Sequence, residues 1–227
     1  LIPRSDRAGN YREKHMLQRL ILALSLTMLA AFTHAQDGDN WVEGTHYDLI
    51  TPAIRTTDPG TIEVTEFFWY GCGHCYNFEP MLEQWKKTLA DDVVFTGSPA
   101  VWNKPMELHA QAFYTAQALG VMDTMHNVIF QAMNVDRKRL SSEAEIQSLF
   151  EANGVSAEDF TKAFKSFGVG SQVRQANSRA RAAKITGTPE MMVNGKYRIS
   201  TRKAGGQTNM LKLADYLIEK ERAAAGS

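Results

Sequence analysis

The chain has 227 residues, of which 44% are apolar, 10% aromatic and 22% charged, and only two are cysteines. This composition is typical of a globular protein that buries its own core, and it excludes disordered, collagen-like and disulfide-dense architectures. The 25 basic residues balance 25 acidic ones, so no strong basic field indicates a nucleic-acid partner.

The first 35 residues have the pattern of a secretory leader. Residues 16–19 form a basic start, residues 20–32 are an apolar run, and an Ala-x-Ala-like exit site ends at Ala35. The run is too short for a comfortable membrane span, which needs about 20 apolar residues. We therefore predict a leader over residues 1–35, with its signal peptide at 16–35 and cleavage after Ala35; the alternative is an uncleaved anchor. Export from the cytosol allows a disulfide to form and persist.

The pattern after the leader predicts strands around one helix. A short edge strand is expected at residues 46–50. A central strand is expected at 61–70, where β-branched and aromatic residues end in an unbroken apolar run that indicates burial on both faces. Residues 72–89 have apolar side chains at helical spacing and are predicted to be a helix. A further strand is expected at 92–97.

Residues 105–185 have a helical period throughout. Ser142 and Ser156 each stand three residues before an acidic residue, which is the spacing of a capping box at the start of a helix. The second serine precedes a predicted core stripe of three phenylalanines, Phe160, Phe164 and Phe167. A last, Ala-rich helix is expected at 172–185.

Strand signals return after this helical stretch. Residues 190–193 and 196–200 flank Asn194-Gly195, the strongest short hairpin turn signal. Thr208 is expected to cap a final amphipathic helix. The element order predicts an α/β fold with an inserted helical block, because the strands on either side of the block are too few to fold alone.

Cys72-Gly73-His74-Cys75 lies between the predicted central strand and the helix that follows it. Cysteines three residues apart on a helix are near enough to form a disulfide after a small local adjustment. Such a bridge closes a very small ring and constrains little of the unfolded chain. The pair is therefore better suited to switching between dithiol and disulfide than to stapling the fold.

The position of the pair also predicts its activation. Cys72 is expected at the helix N-terminus, where free backbone N–H groups and the helix dipole favour an anion. His74 adds a donor or a positive charge beside it, and cysteines in such surroundings have a lowered pKa. We therefore assign Cys72 as the nucleophile, Cys75 as the resolving thiol and His74 as a stabiliser of the thiolate.

Other uses of the cysteine pair agree less well with the sequence. A zinc half-site needs four ligands, and no second cysteine pair exists. Attachment of a c-type haem needs His directly after the second cysteine, where Tyr76 stands. A purely structural pair is disfavoured by the small ring that it would close. We therefore expect a redox pair and no metal.

Residues 66–79, which read EFFWYGCGHCYNFE, resemble the active-site segment of the DsbA family of thiol–disulfide oxidoreductases, and VNGKY at 193–197 is similar to the family's C-terminal hairpin. The resemblance implies a thioredoxin-like domain formed by residues 36–100 and 186–227, with an all-helical insertion at 101–185. It also implies a periplasmic monomer that needs no organic cofactor, because the disulfide is itself the redox group.

The resemblance further implies a substrate-binding edge. Thr188 and Pro189 match the residue and the cis-proline that face the disulfide in thioredoxin folds. We expect them, together with Gly73, to bind an extended segment of the substrate. The alternative for Pro189 is an ordinary trans-proline in a loop.

The resemblance also implies roles for two acidic residues near the cysteine pair. Glu66 matches an acid beneath the active site and is a candidate proton acceptor for Cys75. Glu79, one turn after Cys75, is a candidate tuning acid. The alternative for both is a solvated position, because Glu is seldom buried without a partner.

Two positions depart from the pattern of the family. Gly73-His74 stands where Pro-His is frequent, and Thr188 stands where Val is frequent. Both departures are similar to disulfide isomerases. We therefore expect a less extreme oxidant than the strongest members of the family.

The resemblance implies that the chain donates its Cys72–Cys75 disulfide to reduced, unfolded proteins that have just been exported. It also implies that a quinone-linked, DsbB-like membrane protein reoxidises the chain. The alternatives are a disulfide isomerase or reductase and, from another class, a non-redox chaperone that binds peptides. No nucleic-acid partner is expected.

Two further groups of residues receive weaker assignments. The histidines His46, His109 and His126 are not spaced as a metal set, and we expect them to be ordinary surface or capping residues. Met191 and Met192, beside the proposed cis-proline, are candidates for the lining of an apolar peptide groove.

Overall fold

The computed structural model describes residues 40–225. The predicted leader at 1–35, with its cleavage site after Ala35, lies outside these residues. Within the described part of the chain, no helix is both long enough and apolar enough to cross a membrane. The described residues form a mixed sheet of five strands together with helices, so the predicted α/β class is confirmed.

The strands and helices follow one another in the predicted order. The strands are β1 (Asp48–Leu49), β2 (Ile62–Phe68), β3 (Val93–Pro99), β4 (Glu190–Val193) and β5 (Tyr197–Ser200). The helices are α1 (Gly73–Lys86), α2 (Lys104–Ala118), α3 (Met122–Asn134), α4 (Glu143–Glu151), α5 (Ala157–Phe164), α6 (Phe167–Ala182), α7 (Thr201–Ala204) and α8 (Gln207–Ala225).

The interior strand β2 organises the sheet. The strand order is β1-β5-β4-β2-β3, with β2 parallel to β3 and antiparallel to β4. A parallel pair needs a crossover connection, and α1 supplies it between β2 and β3. Every residue of β2 after Ile62 is buried, in agreement with the predicted central strand.

The alternation of side chains along β2 determines which of them face α1. Val64 packs into the core that α1 and α8 share, and Phe68 packs against the helical block. Phe67 points to the opposite face, where it meets residues of α6. Because side chains alternate along a strand, Glu66 lies on the same face as Val64 and Phe68. The sheet therefore brings a carboxylate beneath α1.

Serine caps begin the helices of the block where the sequence predicts them. Ser142 Oγ accepts a hydrogen bond from the backbone N–H of Glu145 at 3.2 Å. Ser156 Oγ accepts one from the backbone N–H of Asp159 at 3.1 Å. Each bond satisfies one of the donors that the first turn of a helix leaves unpaired, so both predicted caps are confirmed.

Two predicted helix boundaries are wrong. Ser166 caps α6, which therefore begins at Phe167 rather than at residue 172. Phe167 is 83% exposed at the start of this helix and does not continue the core stripe of α5. Thr208 lies inside α8, which begins at Gln207, and so it is not the cap of that helix. In both places the apolar period continues across the boundary, and the period alone does not show where a helix begins.

The predicted groove lining by Met191 and Met192 is also wrong. Both residues lie in β4, where they are 0% and 1% exposed. The strand has a neighbour on each side, and its two faces pack into different apolar clusters, one with each methionine. A strand covered on both faces offers no apolar surface to a peptide.

Candidate active site

Cys72 occupies the N-cap of α1. After β2 the chain turns sharply, and the Cys72 N–H donates to the Trp69 carbonyl at 2.9 Å. Cys72 keeps an extended backbone, and its sulfur accepts a hydrogen bond from the Cys75 backbone N–H at 3.4 Å. The sulfur thus stands where a Ser, Thr or Asp oxygen usually caps a helix and where backbone N–H groups are otherwise unpaired.

This position stabilises negative charge on Cys72. Hydrogen bonds to the sulfur, led by the one from the Cys75 thiol, lower the pKa of Cys72 to about 5, although partial burial opposes the shift. The Thr188 side chain and the backbone N–H groups of Cys75 and His74 contribute to the same lowering. At neutral pH Cys72 is therefore mostly a thiolate, which is both the nucleophilic form and a good leaving group.

Cys75 has the opposite surroundings. It is fully buried, in the same apolar cluster as Phe68 and Tyr70. Burial raises the pKa of its thiol far above the ordinary value, and the hydrogen bond to Cys72 and the charge of Glu66 raise it further. Both cysteines are free thiols in the structure. In this reduced form Cys75 keeps its proton and donates it in a hydrogen bond to the Cys72 sulfur.

The loop before β4 faces the Cys72 sulfur. The Thr188–Pro189 peptide bond is cis. The Thr188 carbonyl oxygen lies 3.3 Å from Cys72 Sγ, and the protonated thiol donates to it. Thr201 Oγ1 donates to the Pro189 carbonyl at 3.0 Å and ties this loop to the start of α7. The sequence-predicted residues Thr188 and Pro189 are therefore brought next to Cys72.

Arg198 on β5 braces the same loop, a role that the sequence analysis missed. Its Nε donates to Glu190 Oε2 at 2.6 Å, and its Nη2 donates to Thr186 Oγ1 at 2.7 Å. The hydrogen bond to Glu190 raises the pKa of Arg198, so the guanidinium stays charged. Opposite charges placed diagonally across a predicted hairpin are a sequence signal that could have indicated this pair.

Glu66 and Glu79 are both buried close to Cys75. Their exposed fractions are 2% and 6%, which excludes the solvated alternative. In each carboxylate, Oε1 has no hydrogen-bond partner among residues 40–225. Burial raises the pKa of Glu66 well above its usual range, and the neighbouring charge of Glu79 raises it further. Both acids line a cavity of about 450 Å³ between β2, α1 and α3.

His126 on α3, which is partly buried, contacts Glu79, one of this pair of acids. Its Nε2 lies 3.4 Å from Glu79 Oε2, and its Nδ1 is hydrogen-bonded to the Tyr70 hydroxyl at 2.9 Å. Burial raises the pKa of Tyr70, so its hydroxyl keeps its proton. His126 stands four residues before the buried Phe130 on one face of α3, and this spacing is the signal that could have placed it inward.

The expected surface role is wrong for His126 and also for His109. His109 is 2% exposed, accepts a hydrogen bond from Trp69 Nε1 at 2.9 Å, and lies 3.1 Å from the Leu140 carbonyl through Nε2. It therefore ties the end of β2 to the segment that precedes α4. Within residues 40–225, no three His, Cys, Asp or Glu side chains are placed to hold a metal ion.

Gly73 and His74 are exposed between the cysteines. The contribution of His74 to the lowered pKa of Cys72 comes through its backbone N–H. Its carbonyl accepts a hydrogen bond from Gln207 Nε2 at 2.6 Å, which links the start of α1 to the start of α8. Gly73 leaves the surface beside the Cys72 sulfur without a side chain.

Comparisons with known proteins agree with this site and fold. A family model described as the DSBA-like thioredoxin domain matches residues 91–217. The chain is 41% identical over 209 residues to the thiol:disulfide interchange protein DsbA of Pseudomonas aeruginosa, covering 92% of this chain and 99% of the relative. It is 38% identical over 208 residues to the DsbA of Bordetella pertussis, covering 90% and 96%.

Solved structures give the same result. The crystal structure of Pseudomonas aeruginosa DsbA has a TM-score of 0.80 at 41% identity, covering 83% of this chain and 98% of that one. The oxidoreductase DsbA from Xylella fastidiosa has a TM-score of 0.76 at 30% identity, covering 81% and 98%. The similarity thus extends over nearly the whole of each solved chain.

Proposed function

The chain belongs to the DsbA family of thiol:disulfide oxidoreductases, and we propose that it acts through Cys72 and Cys75 as a net donor of disulfides to exported proteins. Disulfide exchange with protein substrates follows from the family. Beyond what the family shows, we propose the role of each residue and the direction in which electrons flow. The observation that carries this proposal is the opposite displacement of the pKa values of the two cysteines.

The exchange begins from the oxidised protein. A thiolate of the substrate attacks the Cys72 sulfur, the bond between Cys72 and Cys75 breaks, and Cys75 leaves and takes up a proton. A second substrate thiolate then attacks the substrate sulfur of the mixed disulfide, and Cys72 leaves as a thiolate. Two electrons pass from the substrate dithiol to the protein, which ends with Cys75 as a thiol and Cys72 as an anion.

The lowered pKa of Cys72 gives this sequence its direction. A thiolate that the helix N-terminus stabilises is a good leaving group, so the second step is fast. The same stabilisation favours the reduced protein over the oxidised one, and this makes the Cys72–Cys75 disulfide oxidising. Gly73 and Thr188 remain the basis for expecting a less extreme oxidant than the strongest members of the family.

Glu66 is proposed to hold and deliver the proton that Cys75 needs. Its raised pKa favours the protonated form, which has a proton to give, and in its ionised form its charge is one of the causes of the raised pKa of Cys75. Glu79 is proposed to tune this acid through its charge, and the cavity that both line offers room for water to exchange the proton.

Thr188, Pro189 and Gly73 are proposed to receive an extended segment of the substrate. The Thr188 carbonyl lies beside the Cys72 sulfur, so a substrate cysteine bonded to Cys72 is within reach of this backbone acceptor. Gly73 presents no side chain on the other side of the sulfur. The substrates are proposed to be reduced, unfolded proteins, since only an unfolded segment reaches this edge in extended form.

The cellular setting is proposed from the sequence. The leader pattern at residues 1–35, with cleavage after Ala35, supports export to the periplasm. A quinone-linked, DsbB-like membrane protein is the proposed reoxidant, and the protein is proposed to act as a monomer with no organic cofactor. The division into a thioredoxin-like domain at 36–100 and 186–227 and a helical insertion at 101–185 is supported by the positions of α2 to α6 between β3 and β4.

The proposed direction is tested by mixing the oxidised protein with a reduced, unfolded substrate that has two cysteines. We expect the substrate to gain one disulfide for each Cys72–Cys75 disulfide lost, and equilibration with glutathione to yield a stable reduced protein. Rapid rearrangement of wrongly paired substrates without net oxidation would instead favour the isomerase. If Cys72→Ser aided refolding as well as the wild type, the chaperone alternative would be favoured.

A further inference from the structure

A second cavity, of about 340 Å³, begins at the loop that faces Cys72. Thr188, Pro189 and the two loop residues before them line one part of it, and residues of β1, β4, β5 and α7 line the rest. It shares no lining residue with the cavity that holds Glu66 and Glu79. The space is therefore on the side of the molecule where a substrate would be attached.

The charges around this cavity do not balance. It is lined by three cations, Arg198, Arg202 and Lys203, and by two anions, Asp48 and Glu190. Arg198 is paired with Glu190, and Lys203 is paired with Asp48. The Arg202 side chain is exposed and makes no ion pair or side-chain hydrogen bond within the described residues 40–225. One positive charge thus faces the cavity without a counter-charge.

A substrate segment attached to Cys72 passes close to this charge. The substrate cysteine in a mixed disulfide lies beside Thr188, because Thr188 O is 3.3 Å from Cys72 Sγ. An extended chain advances about 3.3 Å per residue, and side chains on one face are about 7 Å apart. Side chains within about three positions of the reacting cysteine are therefore able to enter the cavity.

We propose that Arg202 selects substrate segments that carry a carboxylate close in sequence to the reacting cysteine. The inference rests on the proposed exchange function and adds to it a preferred substrate class, acidic peptides that contain cysteine. The bound carboxylate supplies the counter-charge that the cavity lacks. Because the cavity is open to solvent, an ion pair of this kind increases the rate by about threefold at low ionic strength.

The test uses three peptides that differ at one position, two residues from a single cysteine, where Glu, Gln or Lys stands. The rate at which each peptide reduces the oxidised protein is followed by Trp fluorescence, and rates are compared as ratios to the Gln peptide. For the wild type we expect the Glu ratio to be about three and the Lys ratio to be below one, with both approaching one as salt is added.

Three variants and one control separate the effect of Arg202 from that of its neighbours. Arg202→Gln should bring both ratios close to one, and Arg202→Glu should reverse the preference. Asp48→Asn frees Lys203 and should increase the Glu ratio. Arg174→Gln is the matched control, because Arg174 lies on α6, packs over the Phe167 ring and does not line the cavity; its ratios should equal those of the wild type.

The outcomes distinguish this inference from the function on which it rests. Equal ratios for the three peptides in the wild type, or an Arg202→Glu variant that still prefers the Glu peptide, would overturn the role of Arg202 while leaving the exchange function in place. If the oxidised wild type failed to react with any of the peptides, the proposed exchange itself would be refuted.

Discussion

The two sides of the first turn of α1 treat negative charge in opposite ways. On the outer side, the Cys72 sulfur receives hydrogen bonds from the Cys75 thiol, from the Thr188 side chain and from backbone N–H groups of the helix N-terminus, and its pKa falls to about 5. On the inner side, Cys75 is buried, and its pKa is raised above the ordinary value by burial and by Glu66. One turn of helix thus separates a stable anion from a stable acid, and this asymmetry supports the proposed attack of the substrate on Cys72 rather than on Cys75.

A comparison of buried carboxylates shows that Glu66, on the inner side of this turn, differs from those that have a cationic partner. Glu190 and Glu221 are also buried, yet Arg198 pairs with the first and Lys196 with the second. Glu66 lies within the same fold but has an oxygen without a partner. Since burying an unsatisfied carboxylate costs stability, its place beneath Cys75 is best understood as a cost of function.

The largest effect on disulfide transfer is expected from replacing each cysteine in turn by serine. Cys72→Ser should reduce disulfide transfer by about 1000-fold or more, because a hydroxyl cannot form the mixed disulfide. In Cys75→Ser, the Cys72 thiolate should still attack a disulfide-bonded substrate, release one substrate thiolate and accumulate the mixed disulfide, because no second thiol is present to resolve it. Gel analysis of trapped species measures both, with thermal unfolding as the control for folding. Equal behaviour of the two variants would remove the distinction between the inner and outer sulfurs.

The substitution Glu66→Gln tests the inner side of the turn through its effect on the free energy of unfolding. Burial raises the pKa of Glu66 in the folded protein, so this group does not lower the free energy of unfolding at pH values below its ordinary pKa. The free energy of unfolding falls as the pH rises through the raised pKa. Removal of the buried charge should therefore increase the free energy of unfolding by about 1–3 kcal/mol near pH 7, and by close to nothing near pH 4. Urea unfolding across this pH range measures the gain.

The matched control for this variant is Glu190→Gln. This acid is buried as well, but it is paired with Arg198 at 2.6 Å, so removal of its charge should lower stability. Opposite signs for the two variants near pH 7 are the expected result. A loss of stability in Glu66→Gln similar to that in Glu190→Gln would show that Glu66 is a structural acid.

The outer side is tested by comparing the stability of the reduced and oxidised proteins. A lowered pKa of about 5 adds stability to the reduced protein that is fully present above the ordinary value of 9.0 and is lost as pH falls to 5. Because Cys72 is half-exposed, solvent screening limits the change between about pH 7 and pH 4 to about 1–2 kcal/mol. Denaturant unfolding of both forms measures it, and Cys72→Ser should abolish this pH dependence. Parallel pH curves for the two forms would contradict the account.

The smallest effect is expected from His74→Ala. The backbone N–H of residue 74 remains in this variant, and the exposed imidazole is not among the groups that lower the pKa of Cys72. The pKa of Cys72 should therefore rise by less than about one unit. Thiolate absorbance against pH measures the shift. An increase of two units or more would transfer the main stabilising role from the helix N-terminus to the imidazole.

The sequence predicts the outer side better than the inner one. The position of Cys72 at a helix start follows from a buried strand, a glycine and an apolar helical period, all of them local features. The family resemblance identifies Glu66 and Glu79, but it does not identify the side chains that surround them. The contact of Tyr70 with His126 joins residues 56 positions apart, and periodicity shows which face of α3 is buried without showing what that face meets.

The wrong predictions have the same origin. Phe167 and Thr208 lie where an apolar period runs past a helix boundary, and the true boundary depends on a cap, Ser166, or on packing. The position of Met191 and Met192 beside Pro189 suggests a groove. Residues distant in sequence, however, pack on both faces of β4 and bury both side chains. Local chemistry is thus readable from the sequence, and the identity of tertiary neighbours is not.

The most direct test of the central claim is the pH dependence of Cys72 alkylation in the reduced, folded protein. We expect a midpoint at about pH 5, with Cys75 unreactive in the folded state, and a higher midpoint in Cys75→Ala, which lacks the leading hydrogen bond to the sulfur. A midpoint near the ordinary cysteine value of 9.0 would contradict it, because the outer sulfur would then be neither a stable anion nor a good leaving group.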